Sequence, residues 1–281
     1  MSKKRRDYRT VIFTSFKKGF SQLSRSHWYF SYASLFINQH IQEKLHGPFK
    51  ANEFIADVLP VANFDRDKLL INPHEYAATC DENMNHLRTS LLVKACAIAE
   101  EYIHSYVKYW ASANGYQGKK KNSLSRVGES VIAPAMVSNL QSALGYIAEL
   151  FPLTFQRLDL CGKAYKLRCT IAHNGDFIDI DIAKKHSEYK KQLGKPVIID
   201  WSQLNSYLSA IYQACELIEL SLPETTLSNI EALWLMQDYF DLNKDKSLSV
   251  RNARKEVMKI YNIHRFPDAR QLAARLNMVH T

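Results

Sequence analysis

Arg168 and His173 sit five residues apart in the string Arg-Cys-Thr-Ile-Ala-His-Asn-Gly over 168–175, and their side chains suffice for cutting RNA. The guanidinium is a permanently charged planar fork matched to phosphate oxygens. The imidazole takes and gives a proton near neutral pH. RNA carries its own nucleophile, the 2′-OH, so a protein need only move two protons and stabilise the phosphorane. Spacing alone also fits a blander reading, a surface arginine and a helix-capping histidine.

The residues around the pair predict the element that positions it. Leu160, Ala164, Leu167 and Ile171 recur at helical spacing, and Gly175 is a natural terminator, so a helix is expected over about 154–174. His173 then falls in the last turn, where the helix dipole favours its cationic form. An i, i+5 pair lies about 140° apart around a helix axis. One helix therefore does not aim both groups at one phosphate.

Further helices are expected on either side. Residues 14–46 are rich in aromatic and apolar side chains (Phe16, Phe20, Leu23, Trp28, Tyr32, Phe36, Ile41) and predict one or two helices before Gly47-Pro48. Residues 57–80, with Pro60 and Pro73, read as irregular. The stripe Leu87, Leu91, Ala95, Ile98, Tyr102, Tyr106, Tyr109 predicts a long amphipathic helix, and Ile132 to Phe151 a third. Phe177–Ile182 alternates apolar and acidic residues and Pro196–Ile199 is β-branched, so the two runs could pair as a short hairpin. Asp200-Trp-Ser-Gln203 matches a capping box opening a helix that runs to Pro223. Three shorter helices follow, through Leu227–Trp234, Val257–Tyr261 and Leu272–Leu276.

Four long helices with the Arg-x4-His pair near the end of the set, and the string Arg-Cys-Thr-Ile-Ala-His-Asn itself, resemble the HEPN superfamily of helical domains. Many of its members are metal-independent endoribonucleases of toxin–antitoxin, CRISPR and other phage-defence systems. The resemblance covers about residues 80–222 and departs at Cys169, where the family usually has Asn or Asp. It implies an all-α helical bundle and catalytic roles for Arg168 and His173. It also implies a two-fold dimer in which the two motifs meet, and a role for Glu100 in Ala99-Glu100-Glu101-Tyr102-Ile103, with Glu101 one step away. Lys166 and Asn174, beside the pair, are expected to touch RNA, as are Lys119, Lys120 and Lys121. The expected layout is an N-terminal basic, aromatic-rich extension over 1–80, the bundle over 81–223 and a basic helical appendage over 224–281.

Charge supports an anionic partner. The chain of 281 residues is formally +9, with eight Lys/Arg against Asp7 alone in residues 1–25, and nine Lys/Arg against three acids from Lys244 onward. Clustered positive charge favours polyanions through counterion release; a solvated basic tail gives the same composition. The C-terminal helices could grip RNA or close the bundle. RNA is thus an expected partner, and the resemblance implies a second copy of the chain, with an antitoxin or a nucleotidyltransferase-type protein as others. A bundle that binds without cutting is the competing class, and a DNA-binding regulator a third.

Other chemistries find little footing. Asp241 to Asn252 resembles an EF-hand loop, but Lys246 stands where Gly is needed and Asn252 where Glu is needed. The ten histidines form no metal-ligand spacing, there is no phosphate-binding glycine loop or nucleophile elbow, and no cofactor is expected. Five scattered cysteines read as reduced core thiols. With no apolar run near the roughly 20 residues of a bilayer span and no apolar signal core, no membrane association is expected and a cytoplasmic location is.

Overall fold

In the structure, a computed structural model, the residues described are 9–45, 54, 72–113, 158–173, 177–185, 187–220, 223–243, 249–264 and 266–276. These residues form an all-α fold. In chain order the α-helices are α1 (Val11–Leu45), α2 (Pro73–Ala113), α3 (Leu158–His173), α4 (Ile180–Lys185), α5 (Trp201–Glu219), α6 (Glu224–Leu242), α7 (Val250–Ile260) and α8 (Ala269–Leu276), with a 3-10 helix at Ser187–Gln192. The expected helix over 129–151, the lysines at 119–121 and Asn174 lie outside the described residues. Two compact units share the chain. One holds the described residues within Met1–Gly19, Cys96–Tyr165 and Ser209–Thr281, and the other those within Phe20–Ala95 and Lys166–Leu208.

In the first unit, the start of α1 is set by a cap and by two buried carboxylates. The Thr10 hydroxyl accepts from the Phe13 amide at 3.1 Å. Glu219 of α5 accepts from the Thr10 amide (2.7 Å) and hydroxyl (2.9 Å), and Glu231 of α6 accepts from the Val11 amide (2.6 Å). Helix N-termini leave amides without partners and carry partial positive charge, so carboxylates are their natural complement. Tyr102 and Tyr109, one and three turns along the apolar stripe of α2 from Ile98, donate their hydroxyls to Glu219 (3.1 Å) and Glu231 (3.2 Å). Phe13, Phe16, Tyr102 and Tyr212 pack as a ring cluster with centroids 5.2–6.2 Å apart.

The C-terminal helices close their own layer of this unit. Ala232, Leu235 and Met236 of α6 pack on Val250, Ala253 and Val257 of α7 and on Leu272 and Ala273 of α8. Ile260 and Tyr261 are exposed, because α7 ends there. Asn262 takes a left-handed φ of 54°, while its amide bonds Lys259 O and the Ile263 amide bonds Met258 O, a Schellman termination.

In the second unit, α2 takes in the last eight residues, 73–80, of the stretch expected to be irregular. Pro73 is its first residue and Asn72 O accepts from the Tyr76 amide. Proline is tolerated at that position because its missing amide would have had no helical partner. The two runs expected as a hairpin meet only at one antiparallel bridge, Phe177 to Pro196. Asp179 explains the change: its Oδ1 accepts from the Ile182 amide at 2.7 Å, capping α4 in the middle of the alternating run. The second run gives its backbone to α2 instead. Asn85 donates to Val197 O (2.8 Å) and accepts from the Ile199 amide (2.9 Å), and Arg88 Nε donates to Ile199 O. The capping box at α5 forms as expected, with Asp200 Oδ1 accepting from the Gln203 amide and Gln203 Oε1 from the Asp200 amide.

Along α1 the aromatic residues divide. Phe16, Phe20, Leu23 and Ile41 are buried, whereas Trp28, Tyr32 and Phe36 are exposed. Among the described residues no helix is long and apolar enough to cross a membrane.

Candidate active site

Arg168 and His173 both lie on α3, which ends at His173. Burial of Cys161, Ala164, Leu167 and Thr170 fixes which sides of this helix face inward. Arg168 leaves the helix on the flank of Cys161 and Ala164 and is half-buried, its Nη1 3.9 Å from Cys169 Sγ. His173 is exposed. It follows Lys166 by seven residues and Cys169 by four, so these three side chains line one face over about two turns. Arg168 stands about 140° from His173 around the axis.

Thr170, between them, is buried and donates its hydroxyl to Asp179 Oδ2 at 3.4 Å. Asp179 thereby ties the motif-bearing turn of α3 to the cap of α4. Neither residue was singled out in the sequence, because Asp179 reads there as the polar member of an alternating strand. The available signal was an Asp three residues ahead of Ile182, a helix-cap spacing.

Glu100 is half-buried on α2 and Glu101 is exposed. Glu100 belongs to the unit containing Cys96–Tyr165, while Lys166, Arg168 and His173 belong to the unit containing Lys166–Leu208. The structure therefore brings Lys166, Cys169 and His173 onto one face, sets Arg168 on another flank of the same helix, and holds Glu100 on a different helix in the other unit.

The comparisons add no relative. No family model, no curated protein and no solved structure matches this chain. Assignment of a reaction rests on the residues alone.

Their electrostatics separate exposed from buried groups. Burial raises the Glu219 carboxyl above its ordinary value, opposed by hydrogen bonds from Thr10 and Tyr102 and by Arg9, which reaches Glu216 at 3.3 Å. Burial, with Cys161 and Cys96 nearby, pushes the Cys215 thiol well up. All five cysteines are free, four of them buried. His27 is buried with its ring stacked 3.6 Å from Trp201, and burial, then Arg88, lowers its pKa. Its setting is that of a neutral packing residue. Among the described residues no group of three His, Cys, Asp or Glu is arranged to hold a metal ion. Glu219 and Glu231 escaped the sequence reading too, though each follows a buried apolar residue of its own helix by four, Cys215 and Leu227.

Proposed function

We propose that this chain is an endoribonuclease of the HEPN type, cutting RNA by attack of the 2′-OH without a metal in the first step. The observation that carries the reading is the Arg168-x4-His173 pair at the C-terminal end of α3, with the imidazole exposed to an incoming strand. His173 withdraws the 2′-OH proton or protonates the 5′ leaving oxygen, and Arg168 holds the phosphorane charge. Lys166, on the histidine face, steers the backbone.

The roughly 140° between the two side chains favours a site shared by two copies, each supplying one member of the pair. A toxin–antitoxin or phage-defence setting in the cytoplasm, with an antitoxin or nucleotidyltransferase-type partner, fits such an enzyme. Glu100 has a supporting role in this reading. The same angular separation, with Cys169 where a polar residue is usual, also favours a second reading, a bundle that binds RNA or a protein partner without cutting.

The test is to incubate purified protein with RNA in EDTA and map the ends. The expected products carry 2′,3′-cyclic phosphate and 5′-hydroxyl ends, and substrates with hydrogen in place of the 2′-OH are not cut. Metal-dependent cleavage leaving 5′-phosphates overturns the mechanism.

A further inference from the structure

The second unit carries an apolar surface that the motif on α3 does not use. On α1, Tyr29 is 78% exposed, Tyr32 67% and Phe36 70%, with Trp28 beside them at 49%. Isolated exposed rings are common, but a run of them on one helix marks a binding surface. Arg25, Trp28, Tyr29, Tyr32 and Phe36 fall within about 100° of the helix circumference. We propose that this face of α1 is a platform on which single-stranded RNA lies, its bases stacked on the rings and its phosphates drawn by Arg25; the proposal rests on the reading of RNA as substrate.

Three observations select this occupant. The chain has no Asp or Glu between Asp7 and Glu43. The stretch that carries the rings, residues 25–36, thus holds Arg25 and no carboxylate, a charge that a polyanion complements. Of the six large apolar side chains exposed on α1, five are aromatic and only Leu35 is aliphatic. Base stacking needs rings and tolerates any sequence; a lipid-inserting face has no such need. Trp28, Tyr32 and Phe36 recur every four residues, about 6 Å along the axis. That spacing exceeds the roughly 3.4 Å of stacked bases in a duplex strand and suits an extended single strand.

The platform is also anchored. The Trp28 ring meets Trp201 edge-on at 5.3 Å, and Trp201 is itself stacked on buried His27. Tyr32 packs on Trp28 at 6.1 Å. A ring already fixed in place loses little freedom when a base covers it.

The test uses the full chain and a labelled 2′-O-methyl oligouridylate, which has no free 2′-OH to attack. Binding is followed by anisotropy, with a duplex as control. The wild type should prefer the single strand. The triple variant Tyr29→Ala, Tyr32→Ala, Phe36→Ala should bind at least tenfold more weakly, since each lost stack is worth roughly 5–150-fold. Tyr29→Phe, Tyr32→Phe should bind as wild type does, which separates stacking from disturbance of the fold. Unchanged affinity in the triple variant overturns the platform. So does a triple variant whose RNA binding is intact but whose mass by light scattering, or retention on phosphatidylserine vesicles, has fallen, because the face then belongs to a second copy or to lipid. If ring truncation weakens binding yet natural RNA is never cut, the platform stands and the nuclease reading fails. If natural RNA is cut and ring truncation changes nothing, the reverse holds.

Discussion

Arg168 and His173 leave the same helix on different sides, the guanidinium half-buried beside Cys169 and the imidazole exposed at the last residue. Their roles can therefore be separated by substitution.

His173→Ala should abolish RNA cleavage while leaving the fold intact, because an exposed helix-end side chain buries little and its loss costs at most about 0.5 kcal/mol. Cleavage assays paired with thermal melts check this. An active, normally folded variant removes His173 from the chemistry.

Arg168→Lys should fail nearly as badly as Arg168→Ala, since a point charge cannot reproduce a bidentate phosphate grip. Mixing Arg168→Ala with His173→Ala subunits should, after exchange, yield heterodimers that cut when neither parent does. Full activity of the lysine variant reduces Arg168 to general charge, and a monomer that cuts at full rate removes the shared site.

Glu219 gives a pH prediction of definite sign. Its folded pKa lies above the ordinary 4.5, chiefly through burial. A raised carboxyl pKa contributes stability below the unfolded value and loses it as pH rises through the folded one. Glu219→Gln cannot ionise, so its melting temperature relative to wild type should improve between pH 4.5 and neutrality. Glu219→Ala, which strands the Thr10 amide and the Tyr102 hydroxyl, should cost about 2–5 kcal/mol at any pH. A Gln-to-wild-type difference that does not vary with pH contradicts the assignment.

Much of the helical layout was legible because period and punctuation agree. The stripe from Leu91 to Tyr109, the Asp200–Gln203 box and Pro223 each tie a pattern to a boundary. The hairpin was not legible. Its first run alternates and its second is β-branched, yet the amide and carbonyl partners of 197–199 are Asn85 and Arg88, more than 100 residues away. The exposure of Trp28, Tyr32 and Phe36 was hidden for a related reason: hydrophobicity reports what a side chain would prefer, and only packing reports which faces found a partner. At the candidate site the sequence yields Arg168, His173 and their angular separation. Asp179 and Thr170 needed coordinates, since their bond links two helices.

The carboxylate anchoring of α1 has a consequence for synthesis. Thr10 and Val11 are made before their partners Glu219 and Glu231, which follow 209 and 220 positions later. At about 5–20 residues per second, roughly 10–40 s separate the birth of the helix start from the arrival of its acceptors. Until then the first turn is satisfied by water, and the ring cluster of Phe13 and Phe16 waits for Tyr212. This unit is thus completed only after Glu231 is made, and a ribosome stalled before residue 231 presents an α1 whose first turn still lacks that carboxylate.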